Sequence, residues 1–294
     1  MVEMKMKTHH QEWTRRGFLK AATGAAAFLP TGKARGKALL GPGSVGTSHP
    51  NPKIWPDKQK QTIGFELPEL PGETFKIVIP EIISDTQQPI VPWSQPSPQW
   101  EMGEDSARYS AEVASVFRMN AEVLFRGEHI EARVRVTNLS SRTWEKANAF
   151  TCFAYYSAPG FDDPQLTRTF LPVDGQWKSV AELFQQHHPG ERPYTFFPVS
   201  GGPALDDFWL FQQIPQRHPQ VVSKGCACVV SVNGKWVAGM TAPNPAFVFT
   251  NRRERCVHAD PLLGDIAPGE TAEGVSHIYI LRGPLEGFAE RCGM

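Results

Sequence analysis

Hydrophobic and polar residues alternate strictly over residues 129–136. A period of two is typical of a half-buried antiparallel strand, with one row of side chains facing the core. The inward positions are Ile130, Ala132, Val134 and Val136. Residues 147–158 (ANAFTCFAYYSA) are apolar almost throughout, which predicts a central strand covered on both faces.

Strand-like runs separated by turn residues continue along most of the chain. They occupy residues 75–83, 225–232, 235–240, 246–250 and 271–281. Asn233-Gly234 predicts a hairpin closed by a two-residue type I′ turn, and Asp174-Gly175 predicts a second hairpin. Short helices are expected at 181–188 and 285–291. The pattern as a whole predicts an all-β protein, a large antiparallel β-sandwich with few short helices.

The N-terminal residues have a different composition from the rest. Residues 14–20 (TRRGFLK) precede a modest apolar run at 21–29, and this arrangement resembles the twin-arginine export motif. We therefore expect a signal peptide over 1–36, a linker or extended arm rich in Gly, Pro, Lys and Ser over 37–62, and a single β-sandwich domain over 63–294. The motif implies a prokaryotic source and a periplasmic or secreted protein.

Removal of the signal peptide changes the charge balance. The chain has 30 basic and 30 acidic residues, of which residues 1–36 hold seven and two, so the remainder has 23 and 28 and a net charge near −5. This negative charge argues against a nucleic-acid partner. No run of about 18 apolar residues occurs, so no integral membrane segment is predicted after signal removal.

The densest cluster of chemically active side chains lies in residues 255–270 (RCVHADPLLGDIAPGE). On a strand, Cys256, His258 and Asp260 point to one side, at intervals of roughly 6–7 Å. Because proline cannot donate to a sheet ladder, Pro261 is expected to end this strand and to leave Asp260 at the rim of the sheet.

Three interpretations of this cluster remain open. Cys256, His258 and Asp260 suit a zinc or copper ion, with another donor from Cys152 or from a histidine elsewhere. His258 and Asp260 also suit a catalytic pair in which the carboxylate orients the proton-carrying imidazole. The third interpretation is structural: a buried thiol, a hydrogen-bonded imidazole and a turn-capping carboxylate. The rim position predicts that His258 and Asp260 are functional.

A proline-rich loop at 87–100 carries Trp93 and Trp100. Exposed tryptophans there would form a stacking platform for sugars, with Arg255 as a further substrate-binding residue, whereas loop tryptophans otherwise fold back onto the core. The five cysteines allow at most two disulfides, and their spacing fixes no connectivity. The sequence specifies neither a cofactor nor an oligomeric state.

Two passages resemble galactose-mutarotase-like sandwiches. They are residues 136–144 (VTNLSSRTW) running into 149–153 (AFTCF), and the turn at 268–271 (PGET) before the last long strand. Residues 254–283 also resemble a family of uncharacterised exported bacterial proteins with a C-x-H-x-D-P motif. Mutarotases carry a catalytic histidine in the central strand after the V-x-N turn, where this chain has FTCF, and no catalytic glutamate can be matched. The resemblance therefore implies the supersandwich fold more directly than the activity.

These observations support an exported carbohydrate-binding or carbohydrate-active protein, epimerase-like or a non-catalytic sugar-binding relative. The alternatives are a metal-binding periplasmic protein that uses the Cys256/His258/Asp260 strand, and a cell-envelope interaction protein without catalysis.

Overall fold

A computed structural model describes residues 52–58, 61–92, 98–188, 193–213 and 216–294. Within these ranges the strands are β1 Lys53–Pro56, β2 Thr62–Glu66, β3 Thr74–Val78, β4 Ile83–Ser84, β5 Pro89–Val91, β6 Glu101–Met102, β7 Ser106–Val113, β8 Phe117–Arg126, β9 His129–Asn138, β10 Trp144–Ala149, β11 Cys152–Ser157, β12 Thr169–Val173, β13 Gln176–Ser179, β14 Tyr194–Phe197, β15 Cys226–Val230, β16 Trp236–Thr241, β17 Pro245–Asn251, β18 Cys256–Ile266 and β19 Thr271–Arg282. The helices are α1 Val180–Gln186, α2 Trp209–Gln213 and α3 Leu285–Cys292.

The strands form two antiparallel sheets. One has ten strands, in the order β1-β2-β3-β11-β18-β10-β4-β5, with β17 paired to β18 and β14 paired to β17. The other has nine strands, in the order β13-β12-β15-β16-β19-β9-β8-β7-β6. The predicted all-β fold class, a large antiparallel sandwich with few short helices, is confirmed.

The main hydrophobic core lies between the two sheets and draws on both. Val257 and Ala259 of β18 enter it from the ten-stranded sheet, and Ile278 of β19 enters it from the nine-stranded one. A hydrogen bond from Ser276 Oγ to the carbonyl oxygen of Ala259, at 3.1 Å, also links the two sheets. Alternate residues of each strand must therefore point away from this core.

Each sheet carries a second, smaller hydrophobic cluster. On the ten-stranded sheet, residues of β11, β17 and β18 pack with Phe196 of β14 and with Phe208 and Phe211 around α2. On the nine-stranded sheet, Phe288 of α3 packs against Cys226 and Cys228 of β15. The outer face of β18 is therefore covered by chain rather than open to water.

Several sequence predictions are confirmed. The four inward positions of β9 are all buried, and the predicted hairpins join β12 to β13 and β15 to β16. The turn type at Asn233-Gly234 was predicted wrongly. The N–H of Gly234 donates to the carbonyl oxygen of Ser231, and Gly234 has a positive φ of 69° whereas Asn233 does not. This is a type I turn followed by a left-handed glycine, not a two-residue type I′ turn.

Other boundaries differ from those predicted. The central strand predicted over 147–158 is interrupted at Phe150 and Thr151 and forms β10 and β11. The loop predicted at 87–100 contains β5, and β1 lies within the arm predicted over 37–62. Residues 1–36 lie outside the described residues. None of the helices in the described ranges is long and apolar enough to cross a membrane.

Candidate functional site

The strand that carries the Cys256 cluster does not end at Pro261. β18 continues through Pro261 to Ile266, so the prediction that Asp260 lies at a rim is wrong. Pro261 is tolerated because it lies opposite Pro245, next to a register shift between β17 and β18. Proline is found at such irregularities because a ladder hydrogen bond is already missing there.

Cys256, His258 and Asp260 share the outer face of the ten-stranded sheet, as their spacing predicts. Phe249 of β17 lies directly opposite His258, and Phe247 lies opposite Asp260. The rings of Phe249 and His258 are 4.5 Å apart, edge to face. The side chains of His258 and Asp260 are 1% and 0% exposed. The pair is therefore in mid-strand under an aromatic cover.

A third strand brings a second thiol to the same point. Cys152 begins β11, which pairs with β18 near Cys256, and one donor atom each from Cys152, Cys256 and His258 lie within 4.8 Å of one another. The distance from Cys256 Sγ to His258 Nε2 is 3.5 Å. Both cysteines are buried and reduced. Two thiols and an imidazole thus converge on one buried point.

Asp260 lies behind the imidazole rather than among the converging donors. Its Oδ1 is 3.4 Å from His258 Nδ1 and accepts a hydrogen bond from the backbone N–H of Thr151 at 2.8 Å. His258 Nδ1 and Asp260 Oδ2 make no hydrogen bond among the described residues. Buried polar atoms are normally satisfied, so these two mark an incomplete arrangement.

Glu81 approaches the cluster from the connection between β3 and β4. Its Oε2 is 3.8 Å from His258 Nε2, and its side chain is 30% exposed. Its backbone N–H donates to the carbonyl oxygen of Phe150 at 2.7 Å. Glu81 is therefore a carboxylate at the edge of the buried cluster and in contact with solvent.

The environment shifts the pKa values of all four buried groups. The hydrogen bond with Cys256 and burial raise the pKa of Cys152 well above its ordinary value. The contact with Cys152 lowers the pKa of Cys256, but burial and the nearby carboxylates together outweigh that contact, and the pKa is raised. Burial lowers the pKa of His258, but its interactions with Cys152 and Asp260 outweigh burial and raise the pKa well above its ordinary value. Both thiols therefore keep their protons at neutral pH unless a cation replaces them.

The pKa of Asp260 is also raised, by burial, although a charged His258 opposes that shift. Because His258 and Asp260 are in contact and both have raised pKa values, the two groups share one proton and titrate together. We place this proton on Nδ1 of His258, because Oδ1 of Asp260 already accepts a bond from Thr151. A proton on Nδ1 leaves Nε2 as the ring atom that faces Cys256, and because the pKa of His258 is raised, a metal that binds there would have to displace a proton from Nε2.

Two of the predicted substrate-binding residues, Trp100 and Arg255, have contacts with residues outside this cluster. Trp93 lies outside the described residues. Trp100 packs edge to face against Tyr109, with ring centroids 4.7 Å apart, and lies against the main core. Arg255 has a positive φ of 42°, and its guanidinium donates to Asp162 at 2.7 Å. Of the two predictions for Trp100, packing onto the core is the one confirmed.

An open cleft of about 660 Å³ lies at another part of the molecule. Its lining is mostly polar, with Asp174, Gln186, His187, Ser200 and Gln220 among the side chains. Buried His218 forms its floor: its Nε2 lies 3.2 Å from the carbonyl oxygen of Leu183, and its Nδ1 accepts the N–H of Gln220. The lining residues of this cleft come from four separate segments, so no local sequence pattern predicts it.

Glu81 is the residue of the buried cluster that the sequence argument missed. It lies 175 positions before Cys256, and no motif connects the two. The sequence offers Cys152 as a possible further donor but does not fix its position. Its position follows from the pairing of β11 with β18, and the sequence does not show which strands pair.

No protein-family model and no curated protein matches the chain. Solved structures similar to it include a galactose mutarotase-like protein from Lactobacillus casei, at 9% identity and a TM-score of 0.48, covering 81% of this chain and 100% of that one. A galactose mutarotase related enzyme from Lactobacillus acidophilus has 10% identity and a TM-score of 0.40, covering 80% and 98%. An α-N-acetylgalactosaminidase from Bifidobacterium bifidum has 8% identity and a TM-score of 0.45, covering 85% and 39%. The structural neighbours of this chain thus include galactose-mutarotase-like proteins.

Proposed function

We propose that this protein is an exported metal-binding protein that holds one zinc or copper ion at Cys152, Cys256 and His258. The observation that carries the proposal is the convergence of these three donors within 4.8 Å in a buried pocket. Thiolates and imidazole are the donors preferred by zinc and by reduced copper. The proposal modifies the predicted ligand set, since Cys152 replaces Asp260.

The spacing of the donors fits tetrahedral zinc. With Zn–S near 2.3 Å and Zn–N near 2.05 Å, a tetrahedral angle places sulfur and nitrogen about 3.6 Å apart. The distance from Cys256 Sγ to His258 Nε2 is 3.5 Å. Glu81 Oε2 lies 3.8 Å from Nε2 and is outside the three-donor cluster, so Glu81 would have to move toward the two thiols to become the fourth ligand.

Asp260 supports the imidazole in this arrangement. A metal-ligating histidine commonly donates its other ring N–H to a carboxylate, which fixes the tautomer and increases the basicity of the ligating nitrogen. Asp260 Oδ1, 3.4 Å from His258 Nδ1, occupies that position. A shorter contact between Nδ1 and Asp260 on metal binding would give His258 Nδ1, which has no hydrogen bond among the described residues, its acceptor.

The burial of the cluster favours a site closed by protein ligands. His258 lies under Phe249, and Glu81 is the group that meets solvent. Sites with four protein ligands stabilise folds, whereas catalytic sites keep a position open for water or substrate. We therefore assign the metal to fold stabilisation or metal retention, and not to catalysis on a large substrate.

Elemental analysis of the purified protein tests this proposal. We expect wild-type protein to retain zinc or copper, and we expect Cys152→Ser and Cys256→Ser each to lose one equivalent per chain. Cys228→Ser is the matched control, because Cys228 is equally buried but lies on the other sheet. A metal content unchanged by both ligand substitutions would overturn the proposal.

Export is the second element of the proposal, supported by the TRRGFLK segment and the apolar run that follows it. The twin-arginine system exports folded proteins, which suits a chain that acquires its metal before export. Changing Arg15 and Arg16 to lysine should retain an unprocessed precursor inside the cell. Normal processing of that variant would contradict periplasmic or secreted localisation.

Carbohydrate binding is a second candidate function, favoured by the polar cleft near His218. Carboxylate, amide and hydroxyl side chains line a space of about 660 Å³, which accommodates a mono- or disaccharide. Calorimetric titration with a panel of aldoses tests it. Saturable binding should weaken in Gln186→Ala and Gln220→Ala and persist in Glu104→Ala, which lies outside the cleft. The absence of binding to the whole panel would reject this candidate.

A further inference from the structure

We propose a second metal site, on the outer face of the nine-stranded sheet, in which His129, Glu131 and His277 bind a divalent transition metal such as Zn²⁺. One donor atom from each side chain lies within 4.8 Å of the other two. The site shares no residue with the Cys152/Cys256/His258 cluster and is independent of it.

Strand geometry brings the three side chains together. His129 and Glu131 are two positions apart on β9, so they point to the same face. Their neighbours Ile130 and Ala132 are buried in the main core, which places His129 and Glu131 on the outer face. His277 of β19 is the register partner of Glu131, at the distance where cross-strand side chains meet.

The two imidazoles already contact each other without a hydrogen bond. Their ring centroids are 5.0 Å apart and nearly perpendicular, and Tyr279 lies 5.6 Å from the ring of His129. All three proposed ligands are half-buried. The donors lie on two paired strands, β9 and β19. The side of the cluster that faces solvent leaves coordination positions for water.

The charges around the site are compatible with a cation. Glu131 accepts a hydrogen bond from Arg133, but Arg133 also lies 3.9 Å from Glu273 and can pair with that carboxylate instead. Burial lowers the pKa of His129, and burial together with the neighbouring His129 lowers the pKa of His277. An ordinary imidazole is already largely neutral at pH 7.5, so each ring can offer a lone pair to a cation.

The donor set indicates the kind of metal. Two imidazoles and one carboxylate on one side of an ion, with open positions opposite, suit borderline divalent cations such as Zn²⁺, Cu²⁺, Ni²⁺ and Fe²⁺. This set lacks thiolate, so it has no preference for reduced copper. The two sites should therefore differ in metal preference as well as in position.

Calorimetric titration of metal-stripped protein with Zn²⁺ at pH 7.5 tests the proposal. We expect His277→Gln and His129→Gln each to remove one equivalent or to weaken it at least about tenfold. His188→Gln is the matched control, because this histidine is exposed and outside the cluster. Unchanged zinc stoichiometry and affinity in both ligand variants would overturn the proposal.

The outcome also separates this site from the buried one. If both proposals hold, the wild-type chain binds two equivalents, and His277→Gln and Cys256→Ser each remove a different one. If the buried site fails, the wild-type chain binds one equivalent that Cys256→Ser leaves intact. Should His277→Gln fail to fold, as judged by circular dichroism, Glu131→Gln replaces it and must weaken zinc binding in the same way.

Discussion

The carboxylate of Asp260 accepts the backbone N–H of Thr151 at 2.8 Å, at the point where the strand paired with β18 is interrupted. β10 and β11 both pair antiparallel with β18. Phe150 and Thr151 lie between these two strands and are not paired with β18. A side chain of β18 thus supplies the acceptor that the missing ladder bond would have provided. The same carboxylate lies behind His258, so one residue serves both the sheet and the buried cluster of Cys152, Cys256 and His258.

Asp260 should therefore contribute strongly to stability. Asp260→Ala leaves the Thr151 N–H buried without an acceptor, and we expect a loss of roughly 1–3 kcal/mol in the free energy of unfolding. Asp260→Asn keeps an acceptor and should lose less. Urea denaturation of both variants measures the difference. An alanine variant as stable as the wild type would show that this hydrogen bond does not contribute to the free energy of unfolding.

Metal removal should destabilise the protein if the buried cluster binds zinc. A ligand that binds only the native state, at a free concentration 100-fold above its Kd, adds about 2.7 kcal/mol to the free energy of unfolding. Chelation should therefore lower the melting temperature of the wild type and of Cys228→Ser. The same treatment of Cys256→Ser should have a much smaller effect. Equal shifts in all three proteins would locate the stabilising metal elsewhere.

The strands were more predictable than the site because strand patterns are local. The alternation in β9 depends on residues two positions apart, and it placed Ile130 and Val136 in the core as the structure does. Pro261 misled the same argument, since its effect depends on the partner strand. The register shift at Pro245 removes the requirement for an N–H at that point, and no feature of residues 256–266 reports it.

The burial of His258 could not be predicted from its own strand. Its ring contacts Phe249 on β17 and Phe150, and Phe196 and Phe211 belong to the hydrophobic cluster that packs on the same outer face of the sheet. These are long-range contacts, and the sequence shows only that the segments are apolar. The spacing of Cys256, His258 and Asp260 predicted a shared face correctly, but tertiary packing decides whether that face meets water.

His218 should make stability depend on pH. Burial lowers the pKa of His218, and its hydrogen bonds require the neutral ring with a proton on Nε2, because Nδ1 accepts the N–H of Gln220. The folded state therefore binds a proton less readily than the unfolded state. Its contribution to stability is complete above the ordinary histidine pKa near 6.5 and is lost as the pH falls through the lower folded pKa.

Urea denaturation at pH 7.5 and pH 5.0 measures this effect. His218→Gln keeps a donor for the carbonyl oxygens of Leu183 and His187 but does not titrate, so it should lose less stability than the wild type on acidification. His188→Gln, at an exposed position, should behave as the wild type does. An equal loss in the wild type and His218→Gln would assign the acid sensitivity to other groups.

Gly239 and Gly287 should respond to alanine substitution with opposite signs. A Cβ at Gly239 of β16 would lie 2.5 Å from Cζ of Phe288 and 2.6 Å from Cβ of Cys228, closer than side-chain atoms approach one another. Gly239 therefore provides the space in which the ring of Phe288 anchors α3 to the nine-stranded sheet. Gly239→Ala should displace that ring and cost about 1–3 kcal/mol, as overpacking in a core does.

Gly287 is the matched control within the helix that Phe288 anchors. A Cβ there meets no atom within 4 Å, and its backbone is helical, so Gly287→Ala should stabilise the protein by about 0.4–1 kcal/mol through the unfolded state. Thermal melts of the two variants decide the point. A Gly239→Ala protein that melts at or above the wild-type temperature would mean that α3 does not depend on the contact between Phe288 and β16. A lower melting temperature for that variant, with a higher one for Gly287→Ala, would show that close packing of Phe288 holds α3 on the sheet and that helix propensity adds to its stability.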